Sequence, residues 1–85
     1  MDLLSRFMSK NNKIKCLPAK LAKRREIVKY MAEKFEFGKI YAEKEINQII
    51  TNCIEFEDYV LVRRELCDFG FLRRTDDGKE YTRNE

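Results

Sequence analysis

The sequence contains no histidine and no tryptophan, and it has one proline, three glycines and three cysteines among 85 residues. Without histidine, the most frequent general base and metal ligand of proteins is missing. The cysteines, Cys16, Cys53 and Cys67, are odd in number, widely spaced and form no Cys-x-x-Cys pair. They match neither a zinc-site spacing nor a disulfide framework. We therefore expect free thiols, no metal site and no cofactor.

Long apolar runs are also absent. No stretch approaches the roughly 20 apolar residues that a membrane-spanning helix needs, and residues 1–15 carry charges throughout. That segment lacks the apolar stretch and the small-residue cleavage site of a signal peptide. The sequence predicts one domain in the cytoplasm, with no membrane partner.

Carboxylates are plentiful, but none has an obvious activating neighbour. Asp58 suits a helix cap, and Asp76 and Asp77 suit a turn. The glycines occur singly, so no phosphate-binding loop is present. We expect no catalytic residues and no small-molecule substrate, and we predict that the chain is not an enzyme.

The charge is distributed unevenly along the chain. The net charge is +3 overall, but residues 1–34 hold ten Lys and Arg against three Asp and Glu, for a net +7. Residues 35–85 hold eight against twelve, for a net −4. A nucleic-acid-binding domain usually gathers its positive charge on the elements that contact the ligand, and here the excess of positive charge lies in residues 1–34.

Periodicity and turn chemistry predict helices, short strands and a hairpin in an order typical of winged-helix domains. The predicted elements are a short helix over residues 2–9 capped by Asp2, a strand over 14–17, helices over 18–35, 42–53 and 59–69, a very short strand over 39–41 and a hairpin turning at Asp76-Asp77-Gly78. The predicted fold is α+β: a winged helix-turn-helix with three main helices, a short strand and a C-terminal two-stranded wing. Residues 1–16 form an N-terminal extension, and residues 17–85 form the winged-helix domain.

Particular residues from Leu17 onward also resemble a known family. They are Leu17-Pro18, Lys23-Arg24, Phe35, the run from Tyr41 to Asn47, Asp58, Arg63-Arg64-Glu65-Leu66, Gly70-Phe71-Leu72, Arg74, Gly78 and Tyr81. The pattern resembles a small bacterial domain family of undefined function, often found at the C-terminal end of ArsR-like winged-helix regulators. The resemblance implies a winged-helix fold in a regulatory setting, and it implies no catalytic residues.

One departure from that family concerns a helix start. Members of the family look to have threonine where this chain has Ala42, and threonine there would form a capping box with Glu45. Alanine offers no side-chain oxygen to a backbone amide, so we expect this helix start to be weakened by about 1 kcal/mol.

The arginines of the last helix are the most suggestive candidates for a nucleic-acid contact. If this helix reads a nucleic acid, Arg64 points away from the core towards a phosphate or a guanine edge, and Arg63 lies at the flank. Alternatively, Arg63 pairs with a carboxylate such as Glu45 or Glu55 and Arg64 is merely solvated. Asn47 is expected to be a buried hydrogen-bonding residue rather than an exposed contact.

Two further groups of basic residues are candidates. Arg73, Arg74 and Lys79 lie on the predicted wing, where alternation puts the two arginines on opposite faces. Lys20, Lys23 and Arg24 belong to the densest positive region, at the start of the first long helix. Each group has a plain alternative, which is a solvated surface.

Two functions follow from these observations. The first is a non-enzymatic, nucleic-acid-binding, transcription-regulator-like domain whose partner is DNA, with RNA still open. The second is a protein–protein interaction module on the same scaffold, supported by the acidic second half and by the apolar residues Val60 and Leu61, which helical geometry leaves outside the core. A protein partner or a homodimer is compatible with both.

Overall fold

The computed structural model describes residues 3–84. In chain order its elements are α1 (Leu3–Phe7), α2 (Leu21–Ala32), β1 (Ile40–Ala42), α3 (Glu43–Cys53), α4 (Tyr59–Asp68), β2 (Leu72–Arg74) and β3 (Glu80–Arg83). The described part is thus a small α+β fold with four helices and a three-stranded antiparallel sheet. Within that part, no helix has the length and apolar character needed to cross a membrane.

Helix α2 is shorter at both ends than the predicted helix over residues 18–35. Lys20 lies in an extended conformation and makes no side-chain capping bond, and Pro18 lies outside the helix, where its carbonyl accepts a bond from Nε of Arg24. At the other end, the amide of Phe35 bonds to the carbonyl of Ala32, three residues back. Hydrogen bonds to the carbonyl three residues back, instead of four, are typical of helix ends. The side chain of Phe35 nevertheless packs in the core, as predicted.

The N-terminal segment is tied to the core by one residue. Ile14 is fully buried; its amide donates to the carbonyl of Cys53, and its own carbonyl accepts from the amide of Glu55. The predicted strand over residues 14–17 is reduced to isolated bridges from Ile14 to Met8 and to Ile54. The predicted helix over 2–9 is reduced to α1, and its expected cap, Asp2, lies outside the described residues. Residues assigned to an extension therefore include one that fills the core.

Helix α4 begins at the predicted residue, α3 begins one residue after the predicted Ala42, and the two helices differ in how they are capped. The carboxylate of Asp58 accepts a bond from the amide of Leu61 at 3.0 Å, which confirms Asp58 as the cap of α4. Ala42 precedes α3, and its amide donates to Oε1 of Glu45 at 3.0 Å. Only half of a capping box is therefore present at α3.

The sheet has the strand order β1-β3-β2. Residues directly opposite each other on neighbouring strands share a face, and successive residues alternate between faces. Tyr81 lies opposite both Tyr41 and Arg74, and the two tyrosines are buried against the helices. Thr82 lies opposite both Ile40 and Arg73, on the outer face. The prediction that the two arginines of the wing lie on opposite faces is thus confirmed.

Apolar side chains from the helices and the inner face of the sheet form a single core. It contains Ile14, Ile27, Val28, Met31, Ala32, Phe35, Tyr41, Ile46, Ile50, Ile54, Val62, Leu66, Leu72 and Tyr81. The core fixes α4 beside the β2–β3 hairpin, because Leu66 of the helix and Leu72 of the strand are both buried in it. This arrangement positions the groove described next.

Candidate nucleic-acid interface

A shallow groove of about 340 Å³ runs between α4 and the β2–β3 hairpin. It is lined by Val60, Arg63, Arg64, Cys67, Asp68, Arg74 and Tyr81. Two of the predicted groups of basic residues therefore contribute to one surface, the last helix through Arg63 and Arg64 and the wing through Arg74. We call it the α4–hairpin groove.

Helical geometry explains which side chains of α4 reach this groove. Val62 and Leu66 are fully buried and define the inner face of the helix. Positions three and four residues apart lie on one side of a helix, so Val60, Arg64 and Cys67 line the flank that faces the hairpin. Cys67 was not foreseen as part of a site, although its spacing from Arg63 and Arg64 would have predicted it.

Strand register explains the contribution of the hairpin. Arg74 lies opposite Tyr81 and therefore on the inner face, where Tyr81 forms part of the groove. Arg74 also lies close enough to Cys67 to act on its thiol: burial raises the pKa of Cys67, and the positive charge of Arg74 opposes that rise. Arg73 belongs to the other face of the sheet and does not line the α4–hairpin groove; it lines a different depression on the hairpin, to which Arg74 also contributes.

Arg63 is held by the protein itself. Its guanidinium donates to Oδ1 of Asn47 and lies 3.6 Å from a carboxylate oxygen of Glu43, and its side chain is only 18% exposed. The same carboxylate oxygen accepts a bond from the hydroxyl of Tyr81 at 3.2 Å. Arg63 therefore joins α3, α4 and β3. Pairing with a carboxylate was expected, but the partner is Glu43 rather than Glu45 or Glu55.

Because Arg63 is paired, the uncompensated positive charge of the α4–hairpin groove comes from Arg64 and Arg74. Both side chains are exposed, and within residues 3–84 neither has a hydrogen-bond or ion-pair partner. Asp68 contributes one negative charge to the same groove. Two unpaired guanidinium groups, one from a helix and one from a strand, thus face solvent across a concave surface, an arrangement suited to contact with phosphate or with a base edge.

The basic residues at the start of α2 lie elsewhere. Arg24 forms an ion pair of 2.7 Å with Glu65, on the flank of α4 that faces α2. Arg25 stacks on the ring of Phe71, with 5.1 Å from guanidinium to ring centroid. Lys20 is exposed and Lys23 half-buried. None of these basic residues lines the α4–hairpin groove, and Arg24 already has a partner.

The hairpin turn brings acids near the last predicted candidate, Lys79. Oδ1 of Asp77 accepts bonds from the hydroxyl of Thr75 and from the amide of Lys79, and these bonds lower the pKa of Asp77. Asp76 is exposed beside it. The tip of the hairpin therefore carries negative charge, and Arg74 lies nearer its base.

No group of three or more histidine, cysteine or carboxylate side chains among the described residues is arranged to hold a metal ion. The cysteines are unpaired: Cys16 is exposed, whereas Cys53 and Cys67 are partly buried. Burial raises the pKa of the Cys53 thiol as well as that of Cys67. Neither thiol has the lowered pKa of a reactive nucleophile.

Comparison with known proteins gives one match. The sequence pattern of a bacterial family described as "uncharacterized protein conserved in bacteria (DUF2087)" matches residues 13–83. No curated protein and no solved structure matches the chain. A bacterial family of undefined function was expected from Leu17 onward, and the match starts earlier, so that it includes the buried Ile14. The match covers most of the sequence, and the chain therefore belongs to the DUF2087 family.

Proposed function

We propose that the chain is a non-enzymatic winged-helix domain that binds nucleic acid in a cytoplasmic, transcription-regulatory setting. The observation that carries the proposal is the convergence of Arg64 and Arg74, both exposed and unpaired within the described residues, in the α4–hairpin groove. In this assignment α3 and α4 form the helix-turn-helix, α4 is the recognition helix, and the β2–β3 hairpin is the wing.

The order of the elements supports the fold assignment. Two helices joined by a short turn are followed directly by an antiparallel hairpin, and β1 completes the sheet by pairing with β3. The resemblance to domains found with ArsR-like regulators supports the regulatory setting. The domain then acts on its own or beside a larger regulator.

The charges determine how the groove would contact a duplex. Arg64 on α4 approaches the base edges or the backbone, while Arg74 contacts phosphate from the base of the wing. Asp76 and Asp77 at the tip of the wing would repel phosphate, so the wing does not insert tip first. Arg63 lines the groove but is held by Glu43 and Asn47, so in this assignment it fixes α4 against α3 and leaves the contact with the ligand to Arg64 and Arg74.

Titration of a labelled short DNA duplex, followed by fluorescence anisotropy, tests the proposal. With Arg64 and Arg74 as about two cationic contacts to the duplex, log affinity should fall with log salt with a slope of about −1.8. Affinity should then drop roughly 12-fold between about 50 and about 200 mM salt. Absence of binding to duplex DNA and to duplex RNA at low salt refutes the proposal.

Arg73 and Arg74 provide a matched pair of variants, because they are adjacent in β2 and lie on opposite faces of the sheet. Arg74→Ala should weaken binding and reduce the salt slope by about one. Arg73→Ala should leave both close to those of the wild type, since its side chain lies on the face away from the groove. Equal losses in the two variants contradict the assignment of the groove as the binding surface.

Lys20 and Lys23 test the competing basic surface at the start of α2. If that surface binds the nucleic acid, the double variant Lys20→Ala, Lys23→Ala should reduce the salt slope by about two while Arg74→Ala changes nothing. The proposal predicts the reverse: Arg74→Ala should reduce the salt slope, and the double variant should leave it nearly unchanged.

A protein-interaction module is the second candidate, and exposed apolar side chains favour it. Ile40 is 59% exposed on the outer face of the sheet, and Phe37 is 52% exposed in the turn that precedes it. A domain that binds no nucleic acid, but whose mass by light scattering doubles with concentration, would fit this second function. Ile40→Thr should then restore the monomer.

A further inference from the structure

Helix α4 presents an exposed row of three different side chains. Val60, Arg64 and Asp68 are spaced by four residues, lie on one side of the helix and line the same groove. Val60 is 39% exposed, in contrast to Val62, which is fully buried two residues later. In this row Val60 supplies an apolar group, Arg64 supplies several hydrogen-bond donors and Asp68 supplies a hydrogen-bond acceptor.

These three chemistries correspond to features of the DNA major groove. An apolar side chain packs on the 5-methyl group of thymine, an arginine donates two bonds to the O6 and N7 atoms of guanine, and an aspartate accepts from the amino group of cytosine. Val60 has no hydrogen-bonding group in its side chain, so it can contribute to binding in this groove only through apolar contact. The methyl group is the one apolar feature that a base edge offers there.

We propose, building on the nucleic-acid-binding function above, that Val60 makes the site selective for DNA by packing on a thymine methyl group in the major groove. Arg64 then lies over a neighbouring base pair. Four residues of helix span about 6 Å, close to two base-pair steps of about 3.4 Å. The preferred duplex therefore carries a thymine within about two base pairs of a guanine.

The same geometry disfavours RNA. The major groove of an A-form duplex is deep and narrow, so a helix cannot place Val60 against the bases. Uracil also lacks the methyl group that Val60 would contact.

Replacing thymine by deoxyuridine isolates the methyl contact. Duplexes that bind the chain are first enriched from a random DNA library and sequenced, and one enriched duplex is then prepared with thymine and with deoxyuridine. The two forms have the same hydrogen-bonding groups. The wild type should bind the deoxyuridine form about fourfold more weakly, which corresponds to about 0.8 kcal/mol for one buried methyl group.

Val60→Ala should bind the two forms with nearly equal affinity, because the contact is already lost. Ile40→Ala is the matched control: it also truncates an exposed β-branched residue, but on the outer face of the sheet, and it should keep the fourfold difference. Both substitutions remove little buried surface, and circular dichroism should show that both variants remain folded.

The outcomes separate the two proposals. If no duplex binds, the nucleic-acid-binding function is refuted, and this inference falls with it. If DNA binds but the two forms bind equally well to the wild type, the function stands and the role of Val60 is overturned. Equal binding of an RNA duplex of the same sequence also overturns it. A difference that survives Val60→Ala shows that another residue reads the methyl group.

Discussion

Threonine in place of Ala42 should stabilise the domain by completing the cap of α3. Ala42 has φ −73° and ψ 154°, an extended conformation that threonine adopts readily. Glu45 already accepts a bond from the amide of Ala42, so one half of the box is in place. A hydroxyl at position 42 would accept from the amide of Glu45 and supply the missing half. The side chain is exposed, so the larger residue meets no packing constraint.

The expected gain is about 1 kcal/mol, the usual difference between a threonine cap and alanine. For a domain of this size, that corresponds to a rise in melting temperature of about 4–8 °C. Helix α3 packs in the core through Ile46 and Ile50. Fraying at its start therefore contributes to global unfolding, and the gain should appear in full.

Thermal and urea unfolding followed by circular dichroism measure the effect. Ala42→Val is the control, because valine has the shape and strand preference of threonine without the hydroxyl. In a Glu45→Ala background the gain from threonine should shrink, since the two halves of the box work together. The reasoning fails if Ala42→Thr melts at or below the wild-type temperature, or if Ala42→Val gives the same rise.

Adjacent arginines should differ sharply in their effect on stability. Arg63→Ala removes the partner of Asn47 and leaves Glu43 with the hydroxyl of Tyr81 alone, and it should cost about 1.5–3 kcal/mol in urea unfolding. Arg64→Ala should change stability by less than about 0.5 kcal/mol. Equal effects would contradict the different roles of these two arginines. Thiol labelling of the native chain near neutral pH should modify the exposed Cys16 quickly. Cys53 and Cys67 should react slowly until the pH rises, because burial raises the pKa values of their thiols. Three equal rates would show that the two partly buried thiols, Cys53 and Cys67, are more accessible than the structure indicates.

The fold could be predicted largely from local signals. Asp58, Gly70 and the Asp77-Gly78 turn mark element boundaries through caps and turn chemistry, and these depend on neighbours in sequence. The alternation that puts Arg73 and Arg74 on opposite faces is a property of any strand. Such features need no knowledge of tertiary contacts, which is why the sequence was sufficient for them.

Features that depend on distant contacts were not predictable. Nothing near Ile14 in the sequence indicates that its backbone bonds to Cys53 and Glu55, some forty residues later. The start of α2 was placed too early because Pro18 is a favourable first helical residue, whereas the structure uses its carbonyl to bind Arg24. Local preference was overridden there by a tertiary contact.

In the candidate site too, sequence patterns predicted the local features and left the contacts between distant residues open. Periodicity predicted that Arg64 faces solvent, and it left the partner of Arg63 open because several carboxylates were within reach on neighbouring elements. The choice of Glu43 follows from the packing of α3 against α4 and from the hydroxyl of Tyr81, which holds the same carboxylate. A charge count for each half of the chain also could not show that Arg24 is paired with Glu65, because the two residues belong to different halves.

Mapping backbone amide chemical shifts by heteronuclear NMR during titration with a short DNA duplex tests the central claim most directly. The groove is predicted to be the contact surface, so the largest shifts should occur at Val60, Arg64, Cys67 and Arg74. Small shifts are expected at Lys20 and Lys23 and on the outer face of the sheet. Shifts concentrated at the start of α2, or the absence of any shift at low salt, would contradict the proposal that the α4–hairpin groove binds nucleic acid.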